Sequence, residues 1–123
     1  MNLKNEPKLH GEPFNFGPPA NQNHSVGKLV TLMANHWHDI DWEDTSKQYK
    51  GPDEAGLLKL NCDKALHHLN WHATWDFEIT VRETALWYKR YYTKDTHDMS
   101  EFSFSQIELY TLAAKELGLD WTK

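Results

Sequence analysis

The sequence predicts a single α+β domain that is rich in helix, with about four helices and a few short strands. Three observations lead to this class. Four segments carry apolar residues at helical spacing together with start or stop signals, and two short apolar runs are bounded by Gly, Pro or Asn. The length of 123 residues suits one domain with one core. We divide the chain into a flexible arm, residues 1–12, and a domain, residues 13–123.

The arm and the first strand are predicted from composition and from proline. The first twelve residues are polar and show no periodicity, which is typical of a loop or a frayed arm. Residues 14–16, Phe-Asn-Phe, are predicted to form a short strand. It ends at Gly17-Pro18-Pro19, because proline cannot donate a hydrogen bond to a sheet.

The first helix begins at a favourable capping residue. Ser25 is a preferred N-cap, and apolar residues follow at spacings of i, i+3, i+4, i+7, i+8 and i+11: Val26, Leu29, Val30, Met33, Ala34 and Trp37. This pattern predicts an amphipathic helix. The charged residues 38–51 that follow are predicted to form a loop.

A second strand and a short helix are predicted next. Leu57, Leu58 and Leu60 form an apolar run typical of a short strand. Asn61 can then cap a helix over residues 62–69. Asn70 is predicted to end that helix, because asparagine tolerates the left-handed conformation of a helix terminus.

Two longer helices are predicted in the last third of the chain. Asp76 can cap the first of them, which carries an apolar and aromatic stripe to residue 92. Ser103 and Gln106 have the spacing of a capping box and therefore predict that the last helix starts at Ser103. Gly118 supplies its stop signal.

Charge and composition exclude several classes of protein. The formal charge of −5, without a block of Lys and Arg, argues against nucleic acid as a partner. No apolar run approaches the roughly 18 residues needed to span a bilayer, and the first residues lack the apolar centre of a secretory signal. We therefore expect a cytoplasmic protein without a membrane partner. Cys62 is the single cysteine, so no internal disulfide is possible, and its thiol fits a reducing compartment or a small buried side chain.

The histidine and acidic residues do not predict a metal site. His36 and His38 lie close in sequence, but at a helix terminus their rings point in different directions, and terminal histidines commonly bind the last carbonyls. His68 and His72 are four apart, but the predicted helix ends between them. The acidic residues near Asp39 lack the Gly and terminal Glu of a calcium loop, so a solvated surface is the preferred interpretation. The tyrosines and Trp87 of the third helix are likewise interpreted as packing residues.

Glu54 is the candidate ligand-binding residue. A carboxylate just before an apolar strand is held near the surface and suits hydrogen bonding to a neutral, hydroxyl-rich ligand. From spacing alone, an exposed turn residue after Gly51-Pro52 is the simpler interpretation.

A family resemblance changes the weight of these alternatives. The run PDEAGLLKLNCDKALHHLNW is preceded by FNFGPPANQNHSVGKLV and followed by DFEITVRETALWYKRYY and DMSEFSFSQIELY. In this order the chain resembles the C-terminal part of the CDP-glucose 4,6-dehydratase family. That family belongs to the extended short-chain dehydrogenases/reductases, which combine an NAD-binding Rossmann domain with a smaller domain for the sugar nucleotide. The sequences FNFGP and LLKLNC resemble the CDP-glucose branch of this group in particular.

The resemblance implies a role for Glu54 and also shows three departures. It implies that Glu54 accepts hydrogen bonds from the nucleotide ribose hydroxyls. Many relatives place a basic residue for the diphosphate where this chain has Gly51. Asn61 replaces a more usual Asp and Asn70 replaces a Gly, and both replacements preserve the capping and turn chemistry.

The family's redox and catalytic motifs are absent from this sequence. No G-x-x-G-x-x-G occurs, because the glycines stand at positions 11, 17, 27, 51, 56 and 118. No Tyr is followed four residues later by Lys. We therefore assign no catalytic, cofactor-binding or metal-binding residue, and we expect the chain alone to be inactive, although the full-length family uses NAD.

The resemblance thus implies a substrate-binding part of a nucleotide-sugar dehydratase. Its expected partners are a CDP-glucose-like nucleotide sugar and a Rossmann domain in the same or a separate chain. Two alternatives stay open: a free-standing protein-interaction module, and a subunit that pairs with a separately encoded Rossmann chain.

Overall fold

The computed structural model describes residues 6–19, 21–45, 47–48, 60–93 and 99–123. These residues contain four α-helices: α1, Val26–His36; α2, Asp63–Leu69; α3, Phe77–Tyr92; and α4, Met99–Glu116. Two short 3-10 helices, Pro7–Leu9 and Asp120–Thr122, lie near the two ends. Among the described residues no helix is long and apolar enough to cross a membrane.

The predicted α+β class is wrong for the part of the chain that the structure describes, because that part is helical and contains no strand. The predicted strand at residues 14–16 does not form a sheet. Its rings instead pack on the α2 region, with Phe16 lying edge to face against Trp71 at 5.0 Å between ring centroids. Of the second predicted strand, Leu60 is described and belongs to no sheet, whereas Leu57 and Leu58 lie outside the described residues.

Local capping confirms two of the predicted helix starts. The Ser25 hydroxyl accepts a hydrogen bond from the Lys28 amide at 3.2 Å, and α1 follows. Asp76 accepts from the Ile79 amide at 2.8 Å and caps α3. In both cases the side chain satisfies an amide that has no partner within the helix.

Two predicted helix ends are also confirmed. Asn70 adopts a left-handed conformation with φ of 51° and ends α2. Gly118 follows α4 with φ of 68°, where its amide donates to the Lys115 carbonyl at 3.0 Å. A residue without a Cβ takes this conformation at no steric cost.

The start of α4 differs from its prediction. The helix begins at Met99, so Ser103 lies inside it and is not an N-cap. The Ser103 hydroxyl donates to the Met99 carbonyl at 2.7 Å and accepts from the Trp87 indole at 3.0 Å. Gln106, the other half of the predicted capping box, donates to α3 as well. Both side chains connect two helices.

The core is small and centres on α3. The α1 and α3 helices share the most extensive contact, and α4 packs on α3 to a lesser degree. The buried apolar residues among those described are mostly small: Leu9, Ala65, Val81, Ala85 and Ala114. No large side chain among them is fully buried. Much of the apolar surface therefore stays accessible.

Candidate functional site

Glu54, the predicted ribose-binding residue, lies outside the described residues, as does Gly51. The described chain resumes at Leu60, at the end of the run that carries Glu54. The geometry around this point can therefore be followed from Leu60 onward.

Short-range hydrogen bonds order the start of α2. The helix begins at Asp63 with Cys62 as its N-cap, one residue later than predicted, and the Cys62 side chain makes no capping hydrogen bond. The Asn61 side-chain oxygen instead accepts from the Asp63 amide at 2.8 Å, from one position before the N-cap. At the other end the Asn70 amide donates to the Leu66 carbonyl at 2.9 Å. These contacts fix a seven-residue helix that would be too short to be stable alone.

The segment around Gly17 packs directly against the start of α2. The Asn15 side-chain amide donates to the Asn61 carbonyl at 3.3 Å. A Cβ at Gly17 would stand 3.4 Å from the Cys62 sulfur and 3.6 Å from the Leu60 side chain. The FNFGP stretch and the described end of the LLKLNC stretch, residues 60–62, therefore meet in space, although they are far apart in sequence.

An ion pair strengthens the same contact from the side of the arm. The Lys64 ammonium donates to the Glu12 carboxylate at 2.6 Å and also lies 5.0 Å from the centre of the Phe14 ring. This hydrogen bond, with the accompanying charge attraction, lowers the pKa of the Glu12 carboxyl from its ordinary value. Leu9, three residues earlier, is buried.

A cleft of about 480 Å³ opens where these segments meet. Its walls are mainly apolar, and its polar groups include the carboxylate of Asp63 and the imidazole of His72. The other lining residues are Gly17, Pro18, Pro19, Leu60, Asn61, Cys62, Leu66, Trp71 and Ala73. An apolar cleft of this size with a few polar groups is typical of small-molecule sites.

The sequence interpretation missed the cleft, although it named several of its residues. The sequence predicts that a strand ends at Gly17-Pro18-Pro19 and that a helix ends at Asn70, and neither prediction brings Pro18 or Pro19 next to Trp71. A useful signal was the Trp directly after a left-handed Asn, because this turn directs the chain back towards α2: the Trp71 amide donates to the Ala65 carbonyl at 3.3 Å.

Two of the described histidines contact phenylalanine rings. His24 stacks on Phe77 with ring centroids 3.9 Å apart, and His68 lies edge to face against Phe14 at 6.5 Å. Within the described ranges, no group of three or more His, Cys, Asp or Glu side chains is placed to hold a metal ion.

The aromatic residues of α3 stack on one another. Trp37 stacks on Tyr92 at 5.8 Å, and Tyr92 stacks in turn on Tyr88 at 6.3 Å. Trp87 stacks on Tyr91 at 5.5 Å with the rings 9° from parallel. These rings contact one another, but Tyr88, Tyr91 and Tyr92 are 43%, 50% and 61% exposed, so the three tyrosines are not buried in the core.

In the described residues, four helices and an apolar cleft at the junction of two loops and a short helix define a small helical unit. Comparison with known proteins adds a relative. The chain is 33% identical over 88 residues to CDP-glucose 4,6-dehydratase from Salmonella typhimurium. The match covers 71% of this chain but 24% of the relative, so the chain spans about a quarter of that enzyme. No protein-family model and no solved structure matches the chain.

Proposed function

We propose that this chain is the sugar-nucleotide-binding C-terminal portion of an enzyme like CDP-glucose 4,6-dehydratase and that it acts in the cytoplasm. The similarity over 88 residues carries the proposal. Glu54 is proposed to accept hydrogen bonds from the ribose hydroxyls of a CDP-glucose-like ligand. An ionised carboxylate has enough lone pairs to accept from both hydroxyls.

The contact between the FNFGP and LLKLNC stretches supports this proposal. These stretches carry the resemblance to the CDP-glucose branch, and they hold each other through Asn15, Gly17, Asn61 and Cys62. The contact fixes the chain directly after the segment that contains Glu54.

The chain would not carry out the redox chemistry alone. The sequence lacks the glycine motif for NAD and the Tyr-x-x-x-Lys pair. We propose that a Rossmann domain, in the same or another polypeptide, supplies NAD and the catalytic residues. The present chain would then orient the nucleotide sugar towards that domain.

Isothermal titration calorimetry with CDP-glucose, CDP and UDP-glucose tests the proposal. We expect weak binding of CDP-glucose, with a Kd of about 0.1–1 mM, because a partial pocket offers few convergent contacts. The Glu54→Gln variant should lose about 1–3 kcal/mol, since the ribose hydroxyls lose their charged acceptor. The difference in affinity between CDP-glucose and UDP-glucose shows whether the nucleotide base contributes to binding.

The neighbouring carboxylate provides the matched control. Asp53→Asn removes the same charge one position earlier in the sequence and should leave the binding heat within error. Absence of heat from the unmodified chain at millimolar ligand, or equal losses in both variants, would refute the ribose-binding role of Glu54.

The exposed apolar surface favours a second candidate from a different class. The described core buries mainly small side chains, while large ones such as Tyr92 and Leu117 stay at least 60% exposed. This surface suits a protein partner, either for a free-standing interaction module or for a subunit that joins a separate Rossmann chain. Co-expression with such a chain, followed by an assay for 4-keto-6-deoxy sugar, tests the subunit form. Co-purification without ligand binding by either chain would favour the interaction module.

A further inference from the structure

A separate cavity lies between α3 and α4. It measures about 370 Å³, which is within the range of small-molecule sites, and its walls are mainly apolar. The lining residues are Thr74, Trp75, Ile79, Arg82, Glu83, Leu109, Ala113, Glu116 and Leu117. None of them lines the cleft at the start of α2, whose lining ends at Ala73. The cavity and the cleft can therefore be tested separately.

The hydroxyl of Thr74 is buried, but it makes no hydrogen bond within the described residues. Thr74 lines the cavity and lies two residues before Asp76, the N-cap of α3. A buried hydroxyl without a partner costs free energy, because it has given up its hydrogen bonds to water. A polar group of a ligand in this cavity would restore such a hydrogen bond.

A buried carboxylate lines the same cavity. Glu83 is 8% exposed, and its two oxygens accept hydrogen bonds from different side chains. Oε1 accepts from Arg82 at 2.9 Å, and Oε2 accepts from Gln106 at 3.0 Å. Each carboxylate oxygen has two lone pairs, so Oε2 can accept one further hydrogen bond. Glu83 is thus held in place and keeps acceptor capacity.

The charges in the lining favour a cation. The lining contains two carboxylates, of Glu83 and Glu116, and one guanidinium, of Arg82, which is already paired with Glu83. Glu116 takes part in no ion pair of the described structure and belongs to the last turn of α4, where the helix carbonyls favour positive charge. At the α3 side, the carboxylate of Asp76 caps the positive helix end. A bound cation would therefore meet a net negative lining, which would repel an anion.

The apolar walls suit a hydrophobic group. Leu109 and Leu117 line the cavity and are 51% and 60% exposed, so a ligand there would remove apolar surface from water. The Trp75 indole adds an aromatic wall, and an indole ring attracts an ammonium group. The Tyr110 ring packs against this indole edge to face, with 4.9 Å between the ring centroids.

We propose that this cavity binds a small primary amine that carries an aromatic or branched alkyl group. The apolar group packs on Trp75, Leu109 and Leu117. An ammonium has three N–H donors, and it donates to the polar part of the lining, where Thr74 and the two carboxylates offer acceptors. This site goes beyond the proposed sugar-nucleotide binding and does not depend on it.

A titration with three compounds that share one apolar group tests the preference for a cation. The probes are 2-phenylethylamine, 2-phenylethanol and phenylacetate, each added to the isotope-labelled full chain and followed by NMR. We expect the amine to bind with a Kd of about 1 mM, as is usual for so small a ligand. The alcohol should bind about three- to tenfold more weakly, and phenylacetate should not bind below about 10 mM. The amine should shift the indole signal of Trp75 and leave that of Trp71, in the cleft, unchanged.

Thr74→Val separates a binding role from a structural one. The variant keeps the shape of the side chain and removes a hydroxyl that has no partner, so the melting temperature should stay the same or rise. The affinity for 2-phenylethylamine should nevertheless fall about three- to tenfold. Thr111→Val is the matched control and should leave the affinity unchanged. Thr111 lies two residues from Leu109 and from Ala113, and therefore on the opposite side of α4.

Two further variants test the charge and the space in the cavity. Glu116→Gln should weaken binding of the amine about two- to fivefold and leave the alcohol unchanged, because an exposed carboxylate contributes modestly. Glu108→Gln, on the same helix but outside the lining, is its control. Ala113→Leu places a larger side chain in the cavity and should weaken the amine at least about tenfold. Circular dichroism checks that each variant keeps its helices.

Several results would overturn the proposal. Equal binding of the amine and phenylacetate would show that the cavity does not select a cation. Shifts centred on Trp71 would place the ligand in the cleft. The absence of a saturable shift up to about 10 mM amine, or an affinity that survives both Thr74→Val and Ala113→Leu, would mean that this cavity binds no amine. None of these results bears on the binding of CDP-glucose to Glu54.

Discussion

The Gln106 side-chain amide on α4 donates to Glu83 on α3 twice, to its backbone carbonyl at 2.8 Å and to its carboxylate at 3.0 Å. Glu83 is the one charged residue among the buried residues of the described structure. Its other carboxylate oxygen accepts from the Arg82 guanidinium at 2.9 Å. Arg82 thus neutralises the Glu83 carboxylate, and Gln106 donates a hydrogen bond to it, at the contact between α3 and α4.

Gln106→Leu should destabilise the protein by about 1–3 kcal/mol, because the buried Glu83 carboxylate loses a donor that leucine cannot replace. Urea denaturation followed by circular dichroism measures the free energy of unfolding. Gln48→Leu, at an exposed loop position, makes the same chemical change and should cost little. Equal stability of Gln106→Leu and the unmodified protein would mean that this contact contributes nothing to helix packing.

Trp87 and Ser103 should be energetically coupled. The indole donates to the Ser103 hydroxyl across the same pair of helices, so each single variant, Trp87→Phe or Ser103→Ala, removes the same hydrogen bond. A double-mutant cycle should give a coupling energy of about 0.5–1.5 kcal/mol. An N-capping serine would stabilise its own helix independently of Trp87, and a coupling near zero would restore that interpretation of the sequence.

The helix starts and stops that could be predicted depend on contacts within a few residues. Ser25 and Asp76 each bond to an amide three positions ahead, and Asn70 and Gly118 adopt left-handed conformations that their residue types favour. Such signals are complete within the local sequence. This is why α1, α3 and the ends of α2 and α4 agree with the prediction.

The errors concern residues whose partners are distant in sequence. Ser103 and Gln106 have capping-box spacing, but their hydrogen bonds reach α3, sixteen and twenty-three residues away. Residues 14–16 have the composition of a strand, yet a strand needs a paired neighbour, and Phe16 packs on Trp71 instead. The cleft was missed for the same reason, since its walls come from segments over 40 residues apart. The ribose-binding role of Glu54 stays a prediction.

The Glu12–Lys64 ion pair should make stability depend on pH in the acidic range. The hydrogen bond from Lys64 and its charge hold the pKa of Glu12 below its ordinary value of 4.5. Because the folded state favours the ionised form, the contribution is fully present above that value and is lost as the pH falls through the lowered pKa. The pair is solvent-exposed, so salt should weaken it.

An NMR titration of the side-chain carboxyls measures this effect. Lys64→Met should raise the pKa of Glu12 towards its ordinary value, while leaving Asp120, whose pKa is lowered by a hydrogen bond from Lys123, unchanged. Lys123→Met should raise the pKa of Asp120 towards its ordinary value and leave the pKa of Glu12 unchanged. If Lys64→Met leaves the titration of Glu12 where it was, the ion pair does not form in solution.

Asn70 tests how far a single backbone conformation stabilises the turn that leads to the cleft. Its φ of 51° is strained for alanine and unstrained for glycine. The Asn70→Gly and Asn70→Ala variants both lose the hydrogen bond from the Asn70 side chain to Asp120, so the difference between them isolates the backbone term. Thermal and urea unfolding should show Asn70→Gly more stable than Asn70→Ala by about 1 kcal/mol.

At Glu78, an exposed position in the right-handed α3, the order should reverse, with alanine more stable than glycine by about 1 kcal/mol. The same order at both positions would show that residue 70 is not left-handed in solution, and that Trp71 reaches the cleft by another route.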